Sequence, residues 1–221
     1  MKKAIIFVNR NNFIYNKEKY SFDKLNEVKR VLKKDIKIVI LEEELCLKKF
    51  DNNAKKFQLA KFVDSLIEKE FPQNGDILYD YEKKNNVIVI YYIRGAKRIE
   101  RLAEGAKRIE VKPIQLIIKE VMRKELKANN NSGRVLIKIN EYYYYISFEA
   151  GIFDHCKVKE NKANIINEIC DDINGKKIFV DKSAIDILPA NDNFKIIEID
   201  IGSLINETIY EKQKFYSRKS V

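Results

Sequence analysis

The chain has 221 residues, which suits one large domain or two small lobes at about 100–200 residues per domain. Apolar residues make up 45% and charged residues 34%, with seven Gly and three Pro, so collagen-like, low-complexity and wholly disordered classes are excluded. The formal net charge is +10 and uneven: residues 1–150 carry 32 Lys/Arg against 21 Asp/Glu, and residues 151–200 carry 7 against 10.

An excess of that kind serves an anionic partner or reflects a Lys-, Asn- and Ile-rich proteome, and no basic run exceeds two adjacent residues. The longest apolar run, Val87 to Ile93, is seven residues, where a membrane span needs about 20. Met1-Lys2-Lys3 and five apolar residues read as the start of a strand and not as a signal peptide. Cys46, Cys156 and Cys170 form no CxxC pair, so neither a disulfide framework nor a zinc site is expected, and a reducing, cytoplasmic compartment is.

In chain order, Ala4 to Val8 reads as a strand, followed by a hairpin of Phe13-Ile14-Tyr15 and Lys19-Tyr20-Ser21. Asp23 suits a helix start, with Leu25, Val28 and Leu32 on one stripe. Ile36 to Leu41 is a strand interrupted only by Lys37, and Leu45, Leu47 and Phe50 mark its neighbour. Asn53 opens a long helix carrying Ala60, Val63, Ile67 and Phe71, stopped by Pro72 to Gly75. Strands at Ile77 to Tyr81 and Val87 to Ile93 follow, joined by a turn at Lys83 to Asn86. A helix is expected from about Ala96 to Arg108. The hexapeptide Gly-Ala-Lys-Arg-Ile-Glu occurs at 95–100 and again at 105–110, and reads as a coincidence within that helix and its exit.

Pro113 suits the first turn of a helix bearing Ile114, Ile117, Ile118 and Val121. Asn129 to Gly133 reads as a linker. Beyond it come strands at Arg134 to Ile139, Tyr142 to Phe148 and Ile152 to Val158. A helix from about Lys162 to Asn174 carries Ile166, Ile169, Cys170 and Ile173 at helical spacing. A strand at Ile178 to Val180, a helical turn near Ala184 and a strand at Phe194 to Ile199 complete the pattern. A three-strand meander followed by helix and strand therefore occurs twice. That pattern predicts an α/β, actin-like fold of two ribonuclease-H-like lobes with an α/β insertion in the first. The first lobe is expected at 1–128 with the insertion at about 53–107, the second at 134–205, and a basic tail at 206–221.

Residues 36–121 carry a resemblance to a known family. The strand Ile36 to Leu41, the helix ending Glu68-Lys-Glu-Phe71-Pro72 and the strand with Asp80-Tyr81 stand in its order. The segment resembles the cytoplasmic actin-like assembly-platform proteins of type IV pili and type II secretion, the PilM and GspL family. The resemblance implies a scaffold at the cytoplasmic face of the cell membrane, without enzymatic activity, linking the assembly ATPase to PilN/PilO-like membrane platform proteins. A homodimer and an anionic membrane surface are further expected partners. Lys212, Lys214, Arg218 and Lys219 then read as a membrane-proximal stem, with the full-length protein continuing into a transmembrane helix. An ordinary solvated tail is the alternative.

An actin-like ATPase needs two phosphate-cradling hairpins opening with Asp-x-Gly, in which glycine lets backbone N–H groups reach the phosphates. The first hairpin here is Val8-Asn9-Arg10-Asn11-Asn12 and the second Lys138-Ile139-Asn140-Glu141-Tyr142. Neither spells the motif, and no two glycines are adjacent or spaced Gly-x-Gly. Asp200-Ile201-Gly202 does spell it but has only 19 residues after it, and reads as a strand ending in a turn. No cofactor, metal site or catalytic residue is therefore assigned.

His155 and Cys156 are adjacent on a strand and point to opposite faces, which excludes a nucleophile–base pair. Glu42-Glu43-Glu44 reads as a solvated turn and Asp171-Asp172 as unspecific. Of the four rings Tyr142 to Tyr145, two are expected to fill a core and two to face outward or a neighbouring layer. An ATP-binding PilM-type protein is the alternative function. A nucleic-acid-binding protein is a weaker one, because the chain lacks RRM, helix-turn-helix and aromatic RNA-binding signatures.

Overall fold

The computed structural model describes residues 3–32, 34–52, 54–71, 76–172, 177–188 and 195–210. Its elements in chain order are β1 (Ala4–Val8), β2 (Asn12–Tyr15), β3 (Glu18–Ser21), α1 (Leu25–Lys29), β4 (Asp35–Ile40), β5 (Cys46–Asp51) and α2 (Leu59–Glu70). Then come β6 (Ile77–Lys84), β7 (Val87–Arg94), α3 (Ala96–Ala103), β8 (Arg108–Pro113), α4 (Ile114–Val121) and α5 (Arg123–Ala128). The last are β9 (Gly133–Ile139), β10 (Tyr142–Glu149), β11 (Ile152–Lys159), α6 (Lys162–Asp172), β12 (Lys177–Asp181), β13 (Lys195–Ile199) and α7 (Ile201–Tyr210). No helix among the described residues is long and apolar enough to cross a membrane.

Chain contacts divide these elements into two compact units, Met1–Glu44 with Gly105–Val221, and Leu45–Glu104. The larger unit contains the predicted duplication. One sheet has the order β3-β2-β1-β4-β8 and the other β11-β10-β9-β12-β13. In each, two antiparallel hairpin strands precede parallel pairings of the first strand with the fourth and the fourth with the fifth. The hairpin turns follow from residues that tolerate positive φ. Asn16 and Lys17 (φ 51° and 71°) join β2 to β3, and Ala150 and Gly151 (φ 51° and 80°) join β10 to β11.

Burial explains the central strands. Ile36, Ile38, Val39 and Ile40 of β4 are all buried, as a parallel strand covered on both faces requires. Lys37 is buried among them although it is charged. It is 5% exposed, and its Nζ lies 3.6 Å from Glu110 Oε1, whose other oxygen takes a 2.7 Å contact from Lys3 Nζ. In the second lobe Leu136, Tyr145, Ile178 and Val180 pack with Ile165 and Ile169 of α6. The buried stripe of α6 is thus Ile165–Ile169. Ile166 is only half-buried and Cys170 is exposed, so the expected stripe is rotated, and Ile173 lies outside the described residues.

The smaller unit is the antiparallel sheet β5-β7-β6, with Val63 and Phe71 on α2 and just beyond it packed on Ile88 and Ile90 of β7. It runs Leu45–Glu104, so β5 is one of its strands, whereas the sequence pattern placed the insertion at about 53–107. Pro72 to Gly75 and Asn53 lie outside the described residues.

Two further segments differ from the sequence expectation. The helix from Ala96 ends at Ala103, and the second copy of the hexapeptide leads into β8 instead. Gly105 turns the chain at φ 82°, and the Lys107 and Arg108 amides donate to the Lys34 carbonyl at 2.7 and 3.2 Å. Residues 129–132 form a bonded turn more than a linker. The Asn131 N–H donates to the Leu126 carbonyl at 2.7 Å, and Ser132 Oγ accepts from the Ala150 N–H at 3.1 Å.

Candidate functional site

A cleft of about 370 Å³ lies between the two sheets of the larger unit. The first lobe contributes Phe7 of β1, Ile14 of β2, Leu41 just past β4 and Ile114, the first residue of α4. These positions share one face because residues two apart on a strand point the same way and β1 runs parallel to β4. The second lobe contributes Ile137 to Asn140, from the end of β9 and its turn, and Gly202, Ile205, Asn206 and Ile209 of α7. Eight of these side chains are apolar, Lys138 is the only charged residue among them, and none is a carboxylate.

The helix α7 was not expected. Asp200-Ile201-Gly202 is neither a phosphate loop nor a strand ending in a turn, but a helix start. Asp200 Oδ1 accepts from the Ser203 N–H at 3.0 Å, and that backbone hydrogen bond holds the Asp200 carboxyl below its ordinary range. Ile201, Ile205 and Ile209 form the buried stripe. Their i, i+4, i+8 spacing was the legible signal; reading the glycine as a break concealed it. The helix continues through the first five residues of the expected 206–221 tail, and Ile209 is 1% exposed. Lys212, Lys214, Arg218 and Lys219 lie outside the described residues.

Each hairpin at the cleft is bonded within its own lobe. The Asn9 N–H donates to the Asn12 carbonyl at 2.8 Å, and Asn9 Nδ2 to Asn12 Oδ1 at 2.9 Å. Arg10 turns to the first lobe's own carboxylates, its amide donating to Glu42 Oε2 at 3.1 Å and its Nε lying 3.8 Å from Glu43 Oε1. On the second hairpin the Lys138 N–H donates to Ser183 Oγ at 3.1 Å, and that hydroxyl donates to the Lys138 carbonyl at 3.0 Å. Lys138 Nζ lies 3.7 Å from Glu141 and 5.4 Å from the centre of the Tyr143 ring. Asp181, 5% exposed, accepts from the Ser183 N–H and the Gly202 N–H, both at 2.9 Å. A magnesium triphosphate needs free amides, a carboxylate for the metal and cations for the phosphates. These residues do not fit that group.

The Glu42-Glu43-Glu44 segment is a junction and not a solvated turn. Glu42 adopts φ 64°, and its N–H donates to the hydroxyl oxygen of Tyr144 at 2.8 Å. Gln115 Nε2 donates to the Glu43 carbonyl at 2.5 Å. Glu44 Oε1 accepts from the Val158 N–H at 3.3 Å and Lys159 Nζ at 3.4 Å. The three glutamates therefore tie the first sheet to α4 and to β10 and β11 of the second.

Asp172 is likewise more than an unspecific helix-end acid. Arg134 Nε and one terminal nitrogen approach its two oxygens at 2.8 and 3.1 Å, and the Tyr145 hydroxyl donates at 2.7 Å. His155 Nε2 lies 3.6 Å away, with its Nδ1 3.2 Å from Asp154. Burial alone would raise the Asp172 carboxyl, but bonds from Arg134 and Tyr145 hold it well below the usual carboxylate range. Burial, then the Asp172 bond, pushes the Tyr145 hydroxyl above its ordinary value. The cluster pins the end of α6 to the sheet. Cys156, on the other face of β11, is buried. Among the described residues no group of three or more His, Cys, Asp or Glu could hold a metal. Tyr144 and Tyr145 are both fully buried although adjacent, because both faces of β10 are covered.

No protein-family model matches the chain, and no curated protein matches it. Solved structures match over nearly its whole length. One is a Bacteroides thetaiotaomicron protein with an actin-like ATPase fold and unknown function, at 12% identity and TM-score 0.51, covering 93% of this chain and 96% of that one. Another is the cytoplasmic domain of EpsL, an inner membrane component of the type II secretion system of Vibrio cholerae, at 10% identity and TM-score 0.58, covering 96% and 95%. A third is the PilM–PilN type IV pilus biogenesis complex, at 7% identity and TM-score 0.57, covering 97% and 94%. Together with the two duplicated five-stranded sheets, these matches establish that the chain has the actin-like fold.

Proposed function

We propose that this protein is a non-enzymatic scaffold of a type II secretion or type IV pilus assembly platform, acting on the cytoplasmic side of the membrane. It joins an assembly ATPase to PilN-like inner-membrane partners. The observation that carries the reading is the full-length likeness to the EpsL cytoplasmic domain and to the PilM–PilN complex, combined with a cleft whose lining does not suit a triphosphate. A scaffold of this kind works by recognition. Its affinity comes from a small apolar patch and its specificity from surrounding charge, for which the +10 chain has ample means.

Two measurements test it. Affinity capture of the tagged chain from its own cells should return a secretion or pilus assembly ATPase and a PilN-like protein; recovery of neither overturns the assignment. Calorimetry with magnesium ATP should give no heat of binding, whereas micromolar binding would turn the assignment to an ATP-dependent PilM-type protein.

A further inference from the structure

We propose that the end of the first sheet at which β4 and β8 begin docks on an anionic lipid surface, with Val31 and Ile109 entering the bilayer and Arg30, Lys34, Lys107 and Arg108 meeting its head groups. No basic run in the chain exceeds two residues, yet the fold gathers three such pairs, Lys29-Arg30, Lys33-Lys34 and Lys107-Arg108. The Lys107 and Arg108 amides both donate to the Lys34 carbonyl, so two segments distant in sequence lie side by side. Arg30 is four residues from Lys34 and Ile109 two from Lys107, at most about 14 and 7 Å of chain. Residues 29–35 and 105–109 together hold six Lys/Arg and one carboxylate, Asp35.

Val31 is 67% exposed and Ile109 48%, and each directly follows an exposed arginine. One exposed aliphatic side chain is ordinary; two on adjoining segments, each beside a cation, form a patch. The backbone beneath them is fixed. The Val31 and Leu32 amides donate to the Val28 carbonyl at 3.0 and 3.1 Å, and Ile109 is held in β8 beside Ile36 of β4. Lys3 and Lys37 are engaged by Glu110. By contrast, among the described residues no side chain of Arg30, Lys34, Lys107 or Arg108 makes a hydrogen bond or ion pair, so these four charges are available to an outside anion. Composition selects the anion. Residues 29–35 and 105–109 include no aromatic ring, amide or hydroxyl side chain, the groups that stack on bases, read their edges or anchor a protein interface. Aliphatic side chains flanked by Lys and Arg suit a bilayer, which takes the former at its acyl boundary and the latter at its phosphates. The patch lies in the body of the larger unit, far in sequence from the basic residues of 206–221. It rests on charge and exposure alone, whichever assembly the protein serves.

The test is flotation of the full chain with phosphatidylcholine vesicles, with and without phosphatidylglycerol at about one lipid in three. Binding should require the anionic lipid and fall at least about tenfold between about 0.1 M and about 1 M salt. Lys34→Gln, Lys107→Gln and Arg108→Gln together should weaken it about 100-fold, at about fivefold per charge. Val31→Thr with Ile109→Thr, which keeps the branched shape and the charge, should weaken it about tenfold. Substituting Gln for Lys212, Lys214, Arg218 and Lys219 should leave binding that the three body substitutions then abolish. Circular dichroism of each variant should match the parent chain, which separates lost binding from lost folding. Absence of binding to the anionic vesicles overturns the proposal. So does binding that the tail substitutions abolish and the body substitutions leave intact, or binding indifferent to the two threonines. Salt-sensitive binding of duplex DNA in preference to vesicles assigns the patch to nucleic acid and likewise overturns it.

Discussion

The hydroxyl oxygen of Tyr144 accepts the backbone N–H of Glu42 at 2.8 Å, joining the second sheet to the first through a fully buried side chain. Burial pushes the Tyr144 hydroxyl above its ordinary range, so it stays protonated at neutral pH. Tyr144→Phe removes the acceptor and keeps the ring, leaving an amide without its partner. The expected loss is about 2 kcal/mol, measured by urea denaturation.

Asp172→Asn should cost about 3 kcal/mol at pH 7, because Arg134, with a side chain only 5% exposed, loses its hydrogen-bonded carboxylate and keeps only the exposed Glu149 at 3.9 Å. The Asp172 carboxyl is depressed in the folded state, so its contribution is complete above the unfolded value of about 3.9 and is lost as pH falls from there towards its lower folded value. Denaturation of both proteins at pH 7 and pH 3 checks the sign: the gap between them should be narrower at pH 3 than at pH 7. A gap that widens in acid contradicts the assignment of the cluster.

Asp181→Ala removes one carboxylate that caps two elements, the helical turn at Ser183 and the start of α7 at Gly202. A loss of about 2 kcal/mol is expected. Hydrogen exchange should quicken in α7 before it does in β12, since the helix depends on that cap and the strand keeps both neighbours.

Gly105→Ala and Gly95→Ala separate backbone strain from crowding. Gly105 (φ 82°) has no atom within 4 Å of an added Cβ, so only the left-handed conformation is penalised, by about 1 kcal/mol. At Gly95 (φ 90°) the new methyl lies 2.8 Å from Arg98 Nε. That side chain must also move, and a larger fall in melting temperature is expected at 95 than at 105.

The repeated hexapeptide shows why some of the fold was readable and some was not. At 95–100 its Ala96 and Ile99 are continued by Leu102, and the three make the buried stripe of a helix. At 105–110 the same residues are followed by Val111-Lys112-Pro113, and they become a strand because β4 offers an edge and Lys3 and Lys37 offer partners for Glu110. Local pattern cannot distinguish these outcomes; the neighbour decides. The strand-rich lobes were legible because β4, β9 and β12 each carry a run of three consecutive apolar residues or more, Ile38 to Ile40, Val135 to Ile137 and Ile178 to Val180. The cleft was half legible: Lys138 and Asn9 to Asn12 were visible as departures from a phosphate loop, but the wall supplied by Ile205 and Ile209 required α7. The Asp172 cluster draws on β9, β10, β11 and α6, and nothing in the spacing of Arg134, Tyr145 and His155 announces that meeting.

The two sheets, alike in strand order, are unlike in how the polypeptide reaches them. The second is threaded in one uninterrupted stretch, from Gly133 to Ile199. The first must wait for the whole of residues 45–104 to pass before β8 can lie against β4. Closing so long a loop slows assembly more than it weakens the finished structure. On the ribosome, the half that is made first is therefore held unfinished until Pro113 has emerged, with the flank of β4 bare in the interval. Its need for a chaperone is greatest there.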